Sequence, residues 1–374
     1  MRVLWLVRRN LTTFPGGDTI QVIQTQRALE SLGIEIDRRP VDELPTLQDS
    51  NEYDLLHLFH LDRIWENLPA AKAAMKHKIP YTLSTIYWPT NRFDTSARTG
   101  LNGCIARVFG EHIFQSVRQI ERWSGSRFKE GANTPFDLMG FRFNTAAKFL
   151  LSNAAVCLPN STIEWERIKE QFDPQSRFVP IPNAVCNAFL DQADEPATQR
   201  TGVICVGRIE PRKNQLNLIR AVSAEFGDPI NLTIVGSPGR FSSAYHKTCV
   251  ERAGPSVRFI QHQSPEQLRS IYQSAAVHVS PSWYDTPGLV NLEAGVMGCS
   301  LVVGSDGSAR EYFGDAVQYS DPSDPKSIRD AILRAQDLHN SGSDTSDLQH
   351  TIRTNYTWER AAEETLKAYK AALE

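Results

Sequence analysis

The sequence predicts an α/β protein of two Rossmann-like domains, each an open, parallel β-sheet, facing a central ligand cleft. Three observations predict it. At 374 residues the chain exceeds what one hydrophobic core ordinarily supports, so two domains are expected. Short, continuously apolar runs recur with helical patterns between them, as strands buried on both faces and joined by crossover helices do. The polar stretch DQADEPATQR at 191–200 has no core-forming pattern, which makes it the expected linker between a domain at 1–190 and a second at 200–350.

In the first domain RVLWLV reads as the opening strand. A glycine-bearing turn leads into TIQVIQTQRALESLG, whose apolar residues fall at helical spacing and whose Gly33 is placed to end the helix. YDLLHLFH, PYTLST and AAVCLPN continue as strands, with NLPAAKAAMKHK as the crossover helix between the first two, and RFVPIPNAV adds a short extended segment. The stretch from Trp88 to Lys148 is mostly helical in pattern and includes EHIFQSVRQIERW and FNTAAKFLL. After the linker, GVICVGR, NLTIVGS, SVRFIQ, AVHVSPS and CSLVVGS read as strands separated by NQLNLIRAVSAEF, SPEQLRSIYQSA and LVNLEAGVMG. The segment 351–374 holds an amphipathic helix that can dock on its own domain or cross back to the first.

Composition narrows the function classes. With 41% hydrophobic and 22% charged residues the chain reads as soluble and globular, and a net charge of -3 gives no global electrostatic reason to bind nucleic acid. The apolar start is cut off by Arg8 and Arg9, so it reads as a strand rather than a leader. No run approaches the roughly 18 apolar residues of a membrane span. The six cysteines contain no CxxC pair and read as buried thiols of a cytoplasmic protein.

Candidate chemistry lies in the loops that leave strands. In PGGDT, Gly16 and Gly17 permit a tight turn and leave backbone N–H groups near a helix start for an anion or a sugar hydroxyl, although a purely structural turn fits equally. In VGRIEPRKNQ, Arg208 and Lys213 follow the first strand of the second domain and can meet one diphosphate, the arginine as a planar fork and the lysine as a mobile charge. A solvated basic helix start is the competing reading, which the helix dipole disfavours unless an anion is present. In DTPGLVNLE, a helix starting at Gly288 would offer the N–H groups of Leu289 and Val290 to phosphate. Asp285 and Glu293 would then handle neutral polyols on either side, since carboxylates repel a diphosphate. Asp285 as a helix cap and Glu293 as a solvated side chain is the alternative. His57 and His60 are further candidates, or hydrogen-bonded residues at a strand end. No Asp-x-Asp element is placed to hold a metal, so no metal is expected.

These motifs resemble, in order and spacing, the retaining GT-B glycosyltransferases of the GT4 family, glycosyl transferases group 1. VGRIEPRKNQLNLIRAV resembles the family's Arg-x4-Lys donor-phosphate segment, PSWYDTPGLVNLEAGVMGCSLVVGSDGSAREYF its E-x7-E region, IPNAV its IPNGV segment and PGG its first glycine turn. The resemblance implies that Arg208 and Lys213 bind the donor diphosphate, that Glu293 contacts the ribose, and that Gly288, Leu289 and Val290 present backbone to phosphate and sugar. It also implies a nucleoside diphosphate sugar as donor, a UDP- or GDP-sugar being expected, and an oligosaccharide or lipid-linked glycan as acceptor, with no separate cofactor. Asp285 replaces the family's first glutamate beside the transferred sugar, and Ala184 its glycine. The histidine common after the fourth N-domain strand has no counterpart among Thr85, Ile86 and Tyr87. The basic helix EHIFQSVRQIERW offers a surface for an anionic membrane, which would place the protein peripherally at the inner face. Runner-up readings are an epimerase or phosphorylase on a similar scaffold, and a sugar-nucleotide-binding or scaffold subunit without transfer activity.

Overall fold

The computed structural model describes residues 1–44, 52–98, 143–190, 200–239 and 241–374. The chain divides into two compact units: Met1–Thr95, Thr99–Pro182 and Trp358–Glu374 form the first, and Ser96–Arg98 with Asn183–Thr357 the second. The basic helix proposed for a membrane surface lies outside the described residues. Among the described residues no helix is long and apolar enough to cross a membrane.

The first unit holds a parallel sheet of β1 (Arg2–Val7), β2 (Glu35–Pro40), β3 (Leu55–Phe59), β4 (Tyr81–Ser84), β5 (Val156–Leu158) and β6 (Arg177–Phe178). Their spatial order is β2-β1-β3-β4-β5-β6. Side chains alternate between two faces that are both buried, which explains why β1 beyond Arg2 is apolar and why β3 is apolar apart from His57. Val3, Trp5 and Val7 face a core shared with Val22 and Leu29, while Leu4 and Leu6 join Leu56 and Leu58 on the other face, under the helices Ile64–Lys76 and Phe143–Asn153. The sequence reading passed over β2, EIDRRP. It is an edge strand whose residues are exposed or half-buried, so it lacks the apolar run that marks a central strand.

Helix Gly17–Ser31 ends where expected, with Gly33 at φ 81, and packs against the last helix, Trp358–Leu373. That last helix inserts Tyr369 into the first unit. The Tyr369 hydroxyl accepts from Trp5 Nε1 at 2.9 Å and lies 2.5 Å from His57 Nδ1, and His57 Nε2 is 2.8 Å from Ser84 Oγ. The donor count assigns the protons: Tyr369 donates to Nδ1, and Nε2–H donates to Ser84. Burial pushes the His57 imidazole down to about 3, so it is a neutral structural residue in the middle of β3.

The second unit repeats the plan with β7 (Val203–Val206), β8 (Leu232–Val235), β9 (Val257–Ile260), β10 (Val277–Ser280), β11 (Ser300–Gly304) and β12 (Gln318–Ser320), all parallel, in the order β12-β11-β10-β7-β8-β9. β12 is again a short edge strand that the sequence reading did not mark. From β7 the chain runs outward to β8 and β9, then returns to the other side of β7 to lay down β10, β11 and β12. Strand order therefore reverses between β7 and β10, and ligands of open parallel sheets bind beyond the carboxyl ends of the strands at such a switch.

Candidate nucleotide-sugar site

The loops leaving β7 and β10 meet at the switch point and are tied together by hydrogen bonds. Trp283 N donates to Arg212 O at 2.9 Å, Arg212 Nη1 donates to Tyr284 O at 3.2 Å, and Asn214 Nδ2 donates to Pro281 O at 3.0 Å and Pro322 O at 2.7 Å. Asn214 sits at φ 64, a left-handed conformation that asparagine tolerates, and it turns the chain from the short 3-10 turn Pro211–Lys213 into helix Gln215–Val222.

This arrangement brings Lys213 and Asp285 together: the ammonium is hydrogen-bonded to Asp285 Oδ2. Arg212 stands 3.5 Å from Asp285 Oδ1, while Ser282 Oγ and Thr286 N also reach the carboxylate at 3.3 and 3.2 Å. Burial works to raise the Asp285 carboxyl, but the charges of Lys213 and then Arg212 outweigh it and hold the group at about 2. Asp285 is thus engaged by two cations, whereas the sequence reading left it free to accept from sugar hydroxyls. The reason is its short side chain at the end of a loop folded onto the 3-10 turn.

Arg208 takes a different position. It directly follows Gly207 beyond β7, its side chain is 48% exposed, and its nearest charge is Glu210 at 3.6 Å. Its guanidinium stays open at the carboxyl edge of the sheet. A further, half-buried cation of the loop is Arg212, which the sequence reading did not single out. Arg212 pairs with Glu210 at 3.1 Å and lies over the Tyr284 ring at 5.4 Å. Only the fold brings the neighbouring Tyr284 and Asp285 to it, so the local pattern carried no signal.

Helix Leu289–Val296 begins at Gly288, whose φ is 85. A side chain there would meet Asn291 Nδ2 at 2.9 Å and Asp285 Oδ2 at 3.1 Å, so glycine is required by conformation and by space. The first-turn N–H groups of Leu289 and Val290 precede the intrahelical ladder and are available to an anion. Glu293 lies one turn further in and is buried. Its carboxylate accepts from the Tyr272 hydroxyl at 3.1 Å, and burial pushes it up to about 7, with the Tyr272 bond working the other way. The solvated alternative for Glu293 is thereby corrected.

Two further glycines let the β11 loop close on this loop. A Cβ on Gly304 would stand 2.2 Å from Ser282 O, and one on Gly307, at φ 115, would stand 2.2 Å from Asp285 O. Between these segments lies a small crevice lined by Ser280, Ser282, Asp285, Pro287, Asn291 and Asp306 among others. The buried Asn291 Oδ1 has no hydrogen-bond partner. Asn183 also supports the site, donating from Nδ2 to Thr286 O at 2.7 Å while its N–H reaches the Tyr312 hydroxyl at 2.8 Å. IPNAV contained this asparagine, but nothing local showed that it reaches the DTPG loop.

Gly16 and Gly17 lie in the first unit. Gly16 is extended at φ -144, and its N–H donates to Thr19 Oγ1 at 3.0 Å, so it is not the free donor expected from the turn. Asp18 in the first helical turn already places a negative charge there. Thr85, Ile86 and Tyr87 follow β4 around the buried Glu164, whose Oε1 accepts from Thr85 Oγ1 and, at 2.9 Å, from Tyr87 N. Ile86 is held at φ 39, a conformation uncommon for a β-branched residue. Among the described residues no group of three or more His, Cys, Asp or Glu side chains could hold a metal.

Residues 189–347 match the family described as glycosyl transferases group 1. The chain is 27% identical over 248 residues to the D-inositol 3-phosphate glycosyltransferase of Corynebacterium urealyticum, a match covering 59% of this chain and 58% of that protein. With the protein of the same name from Corynebacterium diphtheriae it is 25% identical over 95% of this chain and 89% of that one. Solved structures with the same fold include the sucrose-phosphate synthase of Thermosynechococcus elongatus, with a TM-score of 0.69 at 15% identity, covering 99% of this chain and 98% of that one. Anabaena HepE in complex with UDP gives a TM-score of 0.68 at 15% identity, covering 99% of this chain and 100% of that one.

Proposed function

We propose that the chain is a glycosyltransferase of the kind described as glycosyl transferases group 1, and that it moves a glycosyl group, with retention of configuration, from a UDP- or GDP-sugar to a hydroxyl of a glycan or lipid-linked acceptor. The observation that carries this reading is the pairing of Lys213 with Asp285, whose carboxylate also lies against Gly288 at the start of helix Leu289–Val296, at the β7–β10 switch point. A cation and unpaired backbone donors there suit the charge that develops on a departing diphosphate. Anabaena HepE, which shares the fold, has been solved with UDP and with UDP-glucose, in keeping with a donor of this class.

In this reading Asp285 holds the Lys213 ammonium in place while the site is empty. The incoming diphosphate competes with the carboxylate for the lysine, and Arg212 retains Asp285 in the loop. Arg208 folds onto the diphosphate from the exposed edge. Gly288, Leu289 and Val290 present backbone to phosphate and sugar, and Glu293 takes a ribose hydroxyl. Departure of the nucleoside diphosphate and attack of the acceptor hydroxyl occur on one face of the sugar. The acceptor proton ends on the leaving phosphate oxygen, and Arg208 and Lys213 supply the charge that neutralises the diphosphate.

Lys213→Ala tests the reading. Turnover should fall by about 100-fold or more if the lysine stabilises the leaving group. UDP and GDP affinity, measured by calorimetry on the same protein, should weaken by about tenfold or more for the loss of a charge-assisted contact. Unchanged affinity and rate would remove Lys213 from the donor site. The anomer formed first, followed by NMR, tests retention.

A further inference from the structure

The first unit has a switch point of its own. β1 lies between β2 and β3, so its carboxyl end and that of β3 flank the place where strand order reverses. Three ionisable side chains meet there: Arg8 just beyond β1, Asp18 in the first turn of helix Gly17–Ser31, and His60 just beyond β3. We propose that His60 is a hydroxyl-binding residue whose Nδ1 takes a hydrogen bond from a neutral polyol, the acceptor of the transfer proposed above. The assignment of that polyol as an acceptor rests on the glycosyltransfer reading, whereas the binding itself does not.

The geometry sets the ring as a presented group. His60 Nε2 lies 3.2 Å from Asp18 Oδ2. Burial works to raise the Asp18 carboxyl, but hydrogen bonds from His60 and Arg8 more than offset it and hold the group well below the usual carboxylate range. Asp18 therefore only accepts and Nε2 carries a hydrogen, which leaves Nδ1 as the ring atom open to a ligand. No described residue pairs with Nδ1, and the side chain keeps 13% exposure. The backbone is held just as firmly. His60 sits at φ 70, its N–H donates to Ser84 O at 2.8 Å, and its carbonyl accepts from Asn67 Nδ2 at 2.8 Å. A non-glycine residue in the left-handed region is strained and tends to persist where function uses it.

The same cluster selects the chemistry of the ligand. Arg8 uses all its donors within the chain: Nε at 2.5 Å and Nη2 at 3.1 Å to Asp18, Nη1 at 2.7 and 2.9 Å to Asn10, and Nη2 also at 3.0 Å to Phe14 O and 3.1 Å to Thr19 Oγ1. Arg63, the next cation along the chain, is paired with Glu66 at 2.6 Å. Neither is left for a phosphate or carboxylate, so the group at His60 is a neutral hydroxyl. A histidine that served only to tie β3 to the helix would need Nε2 alone.

Two substitutions separate these roles. Asn in place of His60 puts a polar atom where Nδ1 stood and tolerates the left-handed backbone, while Gln reproduces Nε2 and its bond to Asp18. In the full-length protein with 15N-labelled histidine, glucose, maltose and myo-inositol would be titrated while the His60 ring nitrogens are followed, the resonance being assigned by its loss in His60→Asn. The expected result is a saturable shift at Nδ1 with at least one polyol and a weaker response to inorganic phosphate. By saturation-transfer NMR, His60→Asn should bind that polyol within about threefold of wild type and His60→Gln about tenfold more weakly. No saturable shift with any polyol, a stronger response to phosphate, or retention by Gln with loss by Asn would overturn the proposal. Calorimetry with UDP and GDP on the same samples keeps the two readings apart: binding of neither would sink the donor reading and leave the His60 result standing.

Discussion

Glu293 is a buried carboxyl facing a buried phenol, and its energetics are set by how little water reaches it. Because burial raises it to about 7 from an ordinary value of 4.5, the folded protein holds a proton there that the unfolded chain has released. The sign follows from linkage. Between about pH 4.5 and 7 the native state binds more protons, so this group's contribution to stability is fully present below 4.5 and is lost as pH rises through 7. Glu293→Gln keeps a neutral partner for Tyr272 and removes the titration. Melting temperature measured from pH 5 to 8 should fall more steeply in wild type than in the glutamine variant. Parallel curves would mean that Glu293 is already ionised throughout. Asp285 has the opposite sign: held at about 2, it contributes stability that is present above its unfolded value and lost only in acid.

At the scale of elements, the loop that carries Asp285 is positioned by two glycines that let β11's loop lie directly on it. Gly307→Ala combines a strained φ of 115 with a Cβ 2.2 Å from Asp285 O, so backbone must move. The expected cost is more than about 1 kcal/mol of stability in urea denaturation, with weakened UDP or GDP binding, because the segment displaced is the one that holds Lys213. Full nucleotide affinity in the variant would show that the loop's position does not matter to the site. Much of this region was legible in the sequence, and the physical reason is specific. Arg208, Lys213, Gly288 and Glu293 stand next to strand ends, where apolar runs stop and helical spacing starts, so their placement follows from local pattern. What was not legible depends on residues far apart in sequence. Arg212 becomes part of the site only through Tyr284 and Asp285, and Asn183 supports Thr286 only once the sheet is wound. The edge strands β2 and β12 escaped for a related reason, since an edge position removes the need for a continuous apolar run.

At the scale of the whole molecule, the first unit is discontinuous: its sheet begins at Arg2, yet helix Trp358–Leu373 comes from the far end of the chain. That helix packs against helix Gly17–Ser31 and against β4 and β5, and its Tyr369 satisfies two polar groups inside the core, Trp5 Nε1 and His57 Nδ1. The first unit consequently cannot complete its core until the second has been synthesised, which couples the folding of the two. Tyr369→Phe preserves ring packing and removes only the hydroxyl, leaving the buried Trp5 donor and the His57 acceptor unpaired. Each orphaned group costs about 1–3 kcal/mol. The expected outcome is a lower midpoint in urea for the transition that exposes the first unit, followed by tryptophan fluorescence, with UDP and GDP affinity at the second unit unchanged under native conditions. A loss of nucleotide binding as large as that of Lys213→Ala would contradict this separation. An unaltered midpoint would mean that water reaches Trp5 and His57 and replaces the hydroxyl. Tyr369→Leu adds the cavity left by the ring, so its destabilisation should exceed that of Tyr369→Phe. Equal effects from the two variants would show that the hydroxyl, and not the packing of the last helix, is what fastens the chain's end to the first sheet.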